Sequence, residues 1–308
     1  MQYSRVYFMV LDTTRHQEWE GTEMQTGTLR QLLDRNKTLI VPGAYDALSA
    51  RIAAQAGFEA VYMTGFGVAG STLGVPDIGL LTATEMADRA RALTEAAAPV
   101  PLIADGDNGH GSELNVARMV RLYEAAGVAC IQLEDQVFPK RCGHMASKEV
   151  VSLAEATAKI EAAVKARRSD DFLIMARTDA RAVISMDEAL RRGEAFLKSG
   201  ADILFVEAPQ SLEELRLVAE TFKGARLVAN MVEDGKTPYL ARDELERMGF
   251  AVALYPVSSL LVTAQCLRST YSSMLSDGKL PEDAARLRFG EYNSMIGLHQ
   301  LVPSAVAE

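Results

Sequence analysis

The stretch PLIADGDNGHGSELNVARMVRLYEAAGVACIQLED, residues 101–135, decides the fold because it contains a complete strand–helix–strand unit. Its two short apolar runs each end in acids, and residues 113–126 between them have the apolar spacing of a helix that stops at Gly127. Strands that are apolar almost throughout are typical of a parallel sheet that is buried on both faces. The stretch therefore predicts parallel strands that are joined by helices.

The same unit recurs along most of the chain. Strand-like runs begin at residues 39, 60, 101, 129, 172, 203, 226 and 251, and each is followed by a helical pattern. A glycine-rich stretch at residues 65–79 separates the second run from its helix, and we expect its first part, residues 65–70, to form a loop. Eight such units in about 240 residues match the number and length of a (β/α)8 TIM barrel, and a doubly wound open sheet is the alternative.

We predict three parts of the chain. Residues 1–24 form an N-terminal extension, and residues 25–275 form the barrel, which is the catalytic domain. Residues 276–308 form a C-terminal helical segment, with a helix at about residues 282–298, that the barrel does not need. We expect this segment to pack on another subunit.

Polar side chains occur at the carboxyl ends of six predicted strands. They are Thr64, Asp105, Asp107, Glu134, Asp135, Arg177, Asp179, Glu207 and Asn230. The carboxyl ends of barrel strands open on one mouth, where the active sites of this fold are built. One such residue would be typical of a cap or a turn, whereas six strands that end in this way predict a catalytic mouth.

Composition limits the class of protein. A formal net charge of −9 without a basic stripe argues against a nucleic-acid groove. No apolar run approaches the about 18 residues of a membrane span. Three scattered cysteines predict no disulfide framework and fit a reducing compartment. We expect a cytoplasmic protein that acts on a small molecule.

Four acids predict a metal site at the mouth. Asp105 and Asp107 are two residues apart on an extended segment, so both can point the same way. Glu134 from the next strand and Asp77 from an earlier loop add hard oxygen ligands. Mg²⁺, or alternatively Mn²⁺, suits such a set because it is bound by one or two carboxylates and several waters.

Two cations keep other interpretations open. Arg177 ends the fifth predicted strand, where its planar fork could bind a substrate carboxylate. A salt bridge from Arg177 to Glu207 is an equally good interpretation, and both can hold. Arg177 and Lys140 could also balance the acids in a structural network, although the acids outnumber them. Asn230 and Tyr62 are further hydrogen-bonding candidates.

The run KRCGH at residues 140–144 predicts a reactive thiol. Cys142 lies among Lys140, Arg141 and His144, and neighbouring cations favour the thiolate, in which cysteine is reactive. The alternative is a cysteine that fills space in the core, which its polar and glycine neighbours disfavour.

Together, these residues resemble the isocitrate lyase and phosphoenolpyruvate mutase superfamily over residues 42–273. The matching motifs are PGAYDALSA (42–50), YMTGFGVA (62–69), PDIGLLT (76–82), DGDNGHG (105–111), QLEDQ (132–136), KRCGH (140–144), ARTDA (176–180), EAP (207–209) and ANM (229–231). KRCGH is similar to the lyase branch, where the cysteine delivers a proton. The mutase and decarboxylase branches lack it, and oxaloacetate hydrolases that resemble the lyases share it.

The resemblance implies roles for the matched residues. Mg²⁺ would contact Asp105 directly and Asp77, Asp107 and Glu134 mostly through waters. Cys142 would be a general acid on a loop that closes over the ligand. The residues Lys140, Arg141 and His144 would steady the developing charge. The 2-oxo-acid half of the ligand would be lined by Tyr62, Thr64, Gly65, Phe66 and Arg177, and the other half by Glu207 and Asn230.

The implied activity is retro-Claisen or retro-aldol cleavage of a branched 2-hydroxy di- or tricarboxylate to pyruvate and a carboxylate. Pro256 resembles the proline of methylisocitrate and dimethylmalate lyases, which favours a methyl-bearing substrate. Residues 64, 66, 108 and 110 depart from the methylisocitrate lyase pattern, so a 2,3-dimethylmalate-like substrate competes with 2-methylisocitrate. The resemblance also implies a homo-oligomer. Two chains would exchange their C-terminal helices to form a dimer, and two such dimers would associate.

Other functions remain open at the same site. Oxaloacetate or phosphonopyruvate hydrolysis or decarboxylation, and phosphoenolpyruvate mutase chemistry, would use the same acids. A metal-binding regulator without catalysis is a third class, which the intact acids and thiol disfavour.

Overall fold

Eight parallel strands close into a barrel in the computed structural model, which describes residues 27–35, 37–141, 148–282 and 284–302. Each strand pairs with its neighbour in sequence, and the eighth pairs with the first. The strands are β1 (Leu39–Ala44), β2 (Val61–Met63), β3 (Leu102–Asp105), β4 (Cys130–Glu134), β5 (Leu173–Thr178), β6 (Ile203–Val206), β7 (Leu227–Asn230) and β8 (Val252–Tyr255). The closed order confirms the (β/α)8 barrel and excludes the open sheet.

Helices follow the strands around the outside of the barrel. They are α1 (Leu29–Leu33), α2 (Ala47–Gln55), α3 (Gly65–Leu73), α4 (Ala83–Ala97), α5 (Glu113–Ala125), α6 (Leu153–Ala166), α7 (Ala180–Val183), α8 (Met186–Lys198), α9 (Leu212–Thr221), α10 (Arg242–Met248), α11 (Ser258–Asp277), α12 (Phe289–Met295) and α13 (Leu298–Leu301). Side-chain caps fix many of their starts; the Ser211 hydroxyl, for example, accepts a hydrogen bond from the Glu214 N–H at 3.2 Å. No helix of the described ranges is long and apolar enough to cross a membrane.

The first part of the glycine-rich stretch after β2 is helix α3, so our expectation of a loop at residues 65–70 was wrong. Thr64 caps α3, and its hydroxyl accepts a hydrogen bond from the Gly67 N–H at 3.3 Å. A Cβ at Gly67 would lie 2.7 Å from Thr64 Cγ2 and 2.8 Å from Tyr45 Cβ. Glycine serves close packing here rather than turn formation.

Two apolar layers hold the barrel together. The outer layer lies between the sheet and the helices, and the inner layer fills the barrel. Helix α1 closes the amino-terminal end of the barrel by inserting Leu29, Leu32 and Leu33 into the inner layer. Burial of each leucine contributes about 1.5–3 kcal/mol. The candidate active site lies at the opposite end of the barrel, at the carboxyl ends of the strands.

The helix in the C-terminal segment is shorter than we predicted. Helix α12 begins only after Arg288, whose N–H donates to the Glu291 side chain at 2.7 Å and so fixes the helix start. Helix α11 has no buried residue along its 20 positions in the single chain. Its exposed apolar side chains, with those that follow it, include Val262, Tyr271, Met274, Leu275, Leu287, Phe289 and Tyr292.

Candidate active site

A buried lysine lies among the acids at the carboxyl-terminal mouth. Lys140 Nζ is 2.7 Å from Asp77 Oδ2 and 2.6 Å from Asp107 Oδ1. Burial lowers the pKa of Lys140, but Asp107, Asp105 and Asp77 outweigh it and raise the pKa well above its ordinary value. Lys140 therefore stays charged and supplies an internal counter-charge to the acids.

Asp105 is oriented from three directions. Its Oδ1 accepts hydrogen bonds from the Asp107 N–H at 3.0 Å and from Gln132 Nε2 at 3.2 Å. Its Oδ2 accepts one from the Gly65 N–H at 3.2 Å. A Cβ at Gly65 would lie 2.6 Å from this oxygen, so only glycine allows the approach. Gly65 thus acts through Asp105, a role that we had not predicted.

The turn after β3 has a backbone conformation that residues other than glycine rarely adopt. Asp107 has φ 49° and His110 has φ 56°, in the left-handed region. Asn108 supports the turn, because its Oδ1 accepts the His110 N–H at 3.1 Å. Such conformations cost about 1–3 kcal/mol each and concentrate at functional sites. The turn directs Asp107 toward Lys140.

Glu134 faces Arg177 because β4 and β5 pair in register at these two residues. Arg177 Nε lies 3.5 Å from Glu134 Oε2. Burial raises the pKa of Glu134 well above its ordinary value, against the opposing effect of Arg177 and Lys140. Glu134 Oε1 is buried and has no hydrogen-bond partner in the described part of the chain. Glu134 therefore has a buried oxygen that is available to a further donor or to a cation.

Arg177 pairs more closely with Asp179 than with Glu207, the partner that we proposed. Its Nε and Nη2 donate to the two carboxylate oxygens of Asp179 at 3.0 and 3.2 Å, whereas Nη2 is 3.8 Å from Glu207 Oε1. The guanidinium also lies 5.2 Å above the centre of the Phe205 ring. Arg177 is thus held in a fixed orientation at the pocket floor.

Buried charged residues around Asp179 support the orientation of Arg177. Lys148 Nζ contacts the same carboxylate of Asp179, which is fully buried. The Asp179 N–H donates to Asp135 Oδ1 at 2.9 Å, and Arg192 Nη1 pairs with Asp135 Oδ2 at 3.0 Å. We had noted Asp135 and Asp179 only as polar strand ends. Their partners Lys148 and Arg192 gave no local signal, because they lie 31 and 57 residues away along the chain.

Most of the predicted residues line one cavity of about 270 Å³, whereas Gly65 and Asp107 contact its lining residues without lining it themselves. Its charged side carries Asp77, Asp105, Glu134, Lys140, Arg177 and Glu207, and Tyr62, Thr64, Phe66, Asn230 and Pro256 also line it. Asn230 Nδ2 lies 3.3 Å from Glu207 Oε2. The opposite wall is apolar and includes residues that we did not predict, Val232, Leu254, Val257 and Leu261.

The KRCGH run is described only in part. Lys140 reaches the cavity, whereas the Arg141 N–H donates to Gln136 Oε1 at 3.0 Å and its carbonyl accepts from Gln136 Nε2 at 2.8 Å. Arg141 does not line the cavity. Cys142 and His144 lie outside the described residues. Among the described cysteines, Cys130 is buried in the barrel, where burial raises its pKa well above its usual range, so it is a packing residue.

The four predicted metal ligands fit a hydrated divalent cation better than a closed ligand set. No group of three or more His, Cys, Asp or Glu side chains in the described ranges converges enough to hold a metal alone. Glu134 Oε1 is nevertheless buried without a hydrogen bond from those ranges, whereas Asp107 Oδ1 is paired with Lys140. Burial raises the pKa of Asp77 to about 6. A cation bound by one carboxylate and through waters to the others would neutralise this excess charge.

Comparison with known proteins gives consistent results. A family model described as phosphoenolpyruvate phosphomutase matches residues 29–275. The chain is 48% identical over 274 residues to 2,3-dimethylmalate lyase of Eubacterium barkeri, covering 89% of this chain and 94% of that protein. It is 42% identical over 260 residues to 2-methylisocitrate lyase of Bacillus subtilis (strain 168), covering 84% and 85%.

Solved structures agree in fold. A crystal structure of 2,3-dimethylmalate lyase, described as a PEP mutase/isocitrate lyase superfamily member, is similar with a TM-score of 0.85 and 35% identity, covering 89% of this chain and 92% of that one. A phosphonopyruvate hydrolase complex with oxalate and Mg²⁺ is similar with a TM-score of 0.80 and 29% identity, covering 91% and 97%.

Proposed function

This chain belongs to the phosphoenolpyruvate mutase/isocitrate lyase superfamily, and on that premise we propose that it is a divalent-cation-dependent carbon–carbon lyase. Its substrate is a branched 2-hydroxy di- or tricarboxylate of the 2,3-dimethylmalate or 2-methylisocitrate type. The products are pyruvate and a carboxylate, propionate or succinate. The observation that carries the proposal is one cavity in which Asp105 and its neighbouring acids face Arg177, beside an apolar wall.

The charge of the cavity favours a cation-dependent reaction. Four acids, of which Glu207 is one, and two cations line it, so a substrate with two carboxylates would add to an excess of negative charge. We propose that Asp105 holds Mg²⁺, or Mn²⁺, with Asp77, Asp107 and Glu134 around its waters. When bound, the cation supplies the positive charge that makes the substrate hydroxyl more acidic.

The protein's own residues then position the substrate. Arg177 binds a substrate carboxylate with the guanidinium atoms that Asp179 leaves available, and Tyr62 contacts the 2-oxo-acid half. In the reaction the substrate hydroxyl gives its proton to water, and its oxygen forms the carbonyl of pyruvate as the bond between carbons 2 and 3 breaks. The electron pair of that bond moves to carbon 3. We propose that the Cys142 thiol donates the proton that this carbon takes up, with Lys140 and His144 nearby.

The apolar wall favours a methyl-bearing dicarboxylate over a tricarboxylate. Leu254, Pro256, Val257 and Leu261 form this wall, and the cavity's lysine and arginine both lie on its charged side. A third carboxylate against apolar side chains would lose water without gaining a partner. Within the proposed class, we therefore place 2,3-dimethylmalate ahead of 2-methylisocitrate.

A substrate panel tests this function. The purified protein is assayed with 2,3-dimethylmalate, 2-methylisocitrate, isocitrate and oxaloacetate, with Mg²⁺ or with EDTA, and pyruvate, glyoxylate and oxalate are detected separately. We expect pyruvate from the first two substrates, and loss of activity in EDTA that Mg²⁺ or Mn²⁺ restores. Release of glyoxylate alone, or of oxalate from oxaloacetate, would contradict the proposal.

We also propose that the enzyme is a cytoplasmic homo-oligomer built from dimers that exchange their C-terminal helices. The support is helix α11, which buries none of its 20 residues in the single chain although it carries several large apolar side chains. Sedimentation velocity should give the mass of four chains. A monomer at micromolar concentration would contradict this arrangement.

A further inference from the structure

A buried amide inside the barrel connects two residues of the site. Gln132 on β4 is 0% exposed. Tyr62 Oη lies 2.8 Å from Gln132 Oε1, and Gln132 Nε2 lies 3.2 Å from Asp105 Oδ1. The sheet register pairs Asp105 with Gln132, so both side chains start from adjacent backbone positions. The three groups form one chain of hydrogen bonds from the cavity wall to the proposed metal ligand.

The chemistry of the three groups fixes the direction of this chain. An ionised carboxylate only accepts hydrogen bonds, so the amide NH₂ of Gln132 must face Asp105. The amide carbonyl must then face Tyr62, whose hydroxyl has to be the donor. A phenol is protonated at neutral pH, so the Tyr62 hydroxyl has the proton that it donates to Gln132 Oε1.

We propose that Gln132 is a positioning residue. It determines which oxygen Asp105 offers to a divalent cation, and it determines whether Tyr62 accepts or donates a hydrogen bond in the cavity. The inference rests on the proposed function. Gln132 and the Asp107 N–H both bind Oδ1 of Asp105, whereas the Gly65 N–H alone binds Oδ2. Oδ2 therefore retains a lone pair for the cation.

The same amide determines what Tyr62 can do in the cavity. Because its proton is directed at Gln132, the Tyr62 oxygen presents lone pairs to the ligand. Tyr62 thus accepts a hydrogen bond from the substrate hydroxyl rather than donating one to a substrate carboxylate.

Metal binding in the absence of substrate tests the inference. The Mn²⁺ dissociation constant of the full-length protein is measured by electron paramagnetic resonance. Gln132→Met has a similar length but neither donor nor acceptor, and we expect it to weaken Mn²⁺ binding about 10- to 100-fold, as loss of a group that orients a ligand does. Gln132→His can donate from one ring nitrogen and accept at the other, so we expect it to recover much of the affinity.

A matched control separates this effect from a general loss of stability. Thr38 is also buried, 2% exposed, and its hydroxyl donates to the Phe250 carbonyl at 2.6 Å before β1, at the other end of the barrel. Thr38→Val should lower Tm and leave Mn²⁺ binding unchanged. If Gln132→Met does not fold, Gln132→Asn, which is one methylene too short to bridge both partners, gives the same test.

The outcomes distinguish this inference from the proposed function. If wild-type protein binds Mn²⁺ and Gln132→Met binds it equally well, the inference about Gln132 is wrong and the lyase proposal stands. If wild-type protein binds no Mn²⁺, the proposed function fails and this inference fails with it. Weaker binding in Gln132→Met, recovery in Gln132→His and unchanged binding in Thr38→Val support the inference.

Discussion

Arg177 owes its orientation to Asp179 more than to the acids that line the cavity. Both carboxylate oxygens of Asp179 accept hydrogen bonds from it, and Lys148 shares the same carboxylate. Loss of one partner from a buried ion pair costs about 3–5 kcal/mol, because the remaining charge stays buried without compensation. The arginine is therefore ready to bind a carboxylate before the substrate arrives.

Asp179→Asn should accordingly impair both binding and stability. We expect the substrate KM to rise about 10-fold, since the fork of Arg177 is no longer fixed, and the free energy of unfolding to fall by about 3 kcal/mol. Steady-state kinetics and urea unfolding measure the two effects. Asp88→Asn is the control, because Asp88 is an exposed acid with a single surface pair to Arg91. An unchanged KM in Asp179→Asn would contradict this role.

The same carboxylate should make stability depend on acid pH. Burial alone would raise the pKa of Asp179, but Arg177 and Lys148 outweigh it and lower the pKa from 3.8 to about 2. A carboxyl group with a lowered folded-state pKa stabilises the protein above its unfolded pKa, and this stabilisation is lost as pH falls toward the folded value. The difference in unfolding free energy between wild type and Asp179→Asn should therefore shrink by about 2 kcal/mol between pH 5 and pH 2. A difference that is independent of pH would refute this assignment.

Sequence reasoning identified the site's charged residues but not their partners. Asp105, Glu134 and Arg177 end apolar strands, and that local pattern placed them at the mouth. The contact between Lys148 and Asp179, or between Tyr62 and Gln132, joins residues 31 and 70 positions apart. Such pairs depend on barrel closure and strand register, which no single stretch of sequence encodes.

Different turns of helix α11 have different surroundings. Its first turn brings Leu261 to the apolar wall, and the later turns expose apolar side chains. The wall could not be predicted because it combines residues from β8, α11 and the segment after β7. The strands themselves were predictable, since each is an apolar run that ends in a polar residue.

Leu261→Ala should therefore alter substrate binding with little effect on stability. We expect the KM for 2,3-dimethylmalate to rise about 10-fold, because loss of a methylene contact in an apolar pocket costs about 1–3 kcal/mol. Leu267→Ala is a matched control, since both leucines are 46% exposed on the same helix and only Leu261 lines the cavity. Equal KM values for the two variants would contradict a role of the wall in substrate choice.

At the scale of the whole molecule, the single chain leaves a large apolar surface exposed at its C-terminal end. Leu275 is 90% exposed and Phe289 is 83% exposed. Large apolar side chains that are exposed close together along the chain are typical of interaction sites. The sequence suggested a segment beyond the barrel, but it did not show that helix α12 begins only after Arg288.

Substitution of this surface should separate the subunits without unfolding them. We expect the double variant Leu275→Asp and Phe289→Asp to sediment as a smaller species with an unchanged barrel circular dichroism spectrum, because buried carboxylates would oppose association. Leu114→Asp, on an exposed leucine of α5 that is 82% accessible, is the control and should sediment like wild type. A double variant of wild-type mass would place the interface elsewhere.

Cleavage between carbons 2 and 3 at a cation-loaded site can be followed through the products that form in D₂O. Wild-type protein with Mg²⁺ and 2,3-dimethylmalate is followed by nuclear magnetic resonance. We predict equal amounts of pyruvate and of propionate that carries one deuterium at the carbon beside its carboxylate, and no reaction in EDTA. Unchanged substrate with Mg²⁺, or pyruvate formation that EDTA does not affect, would contradict the central claim.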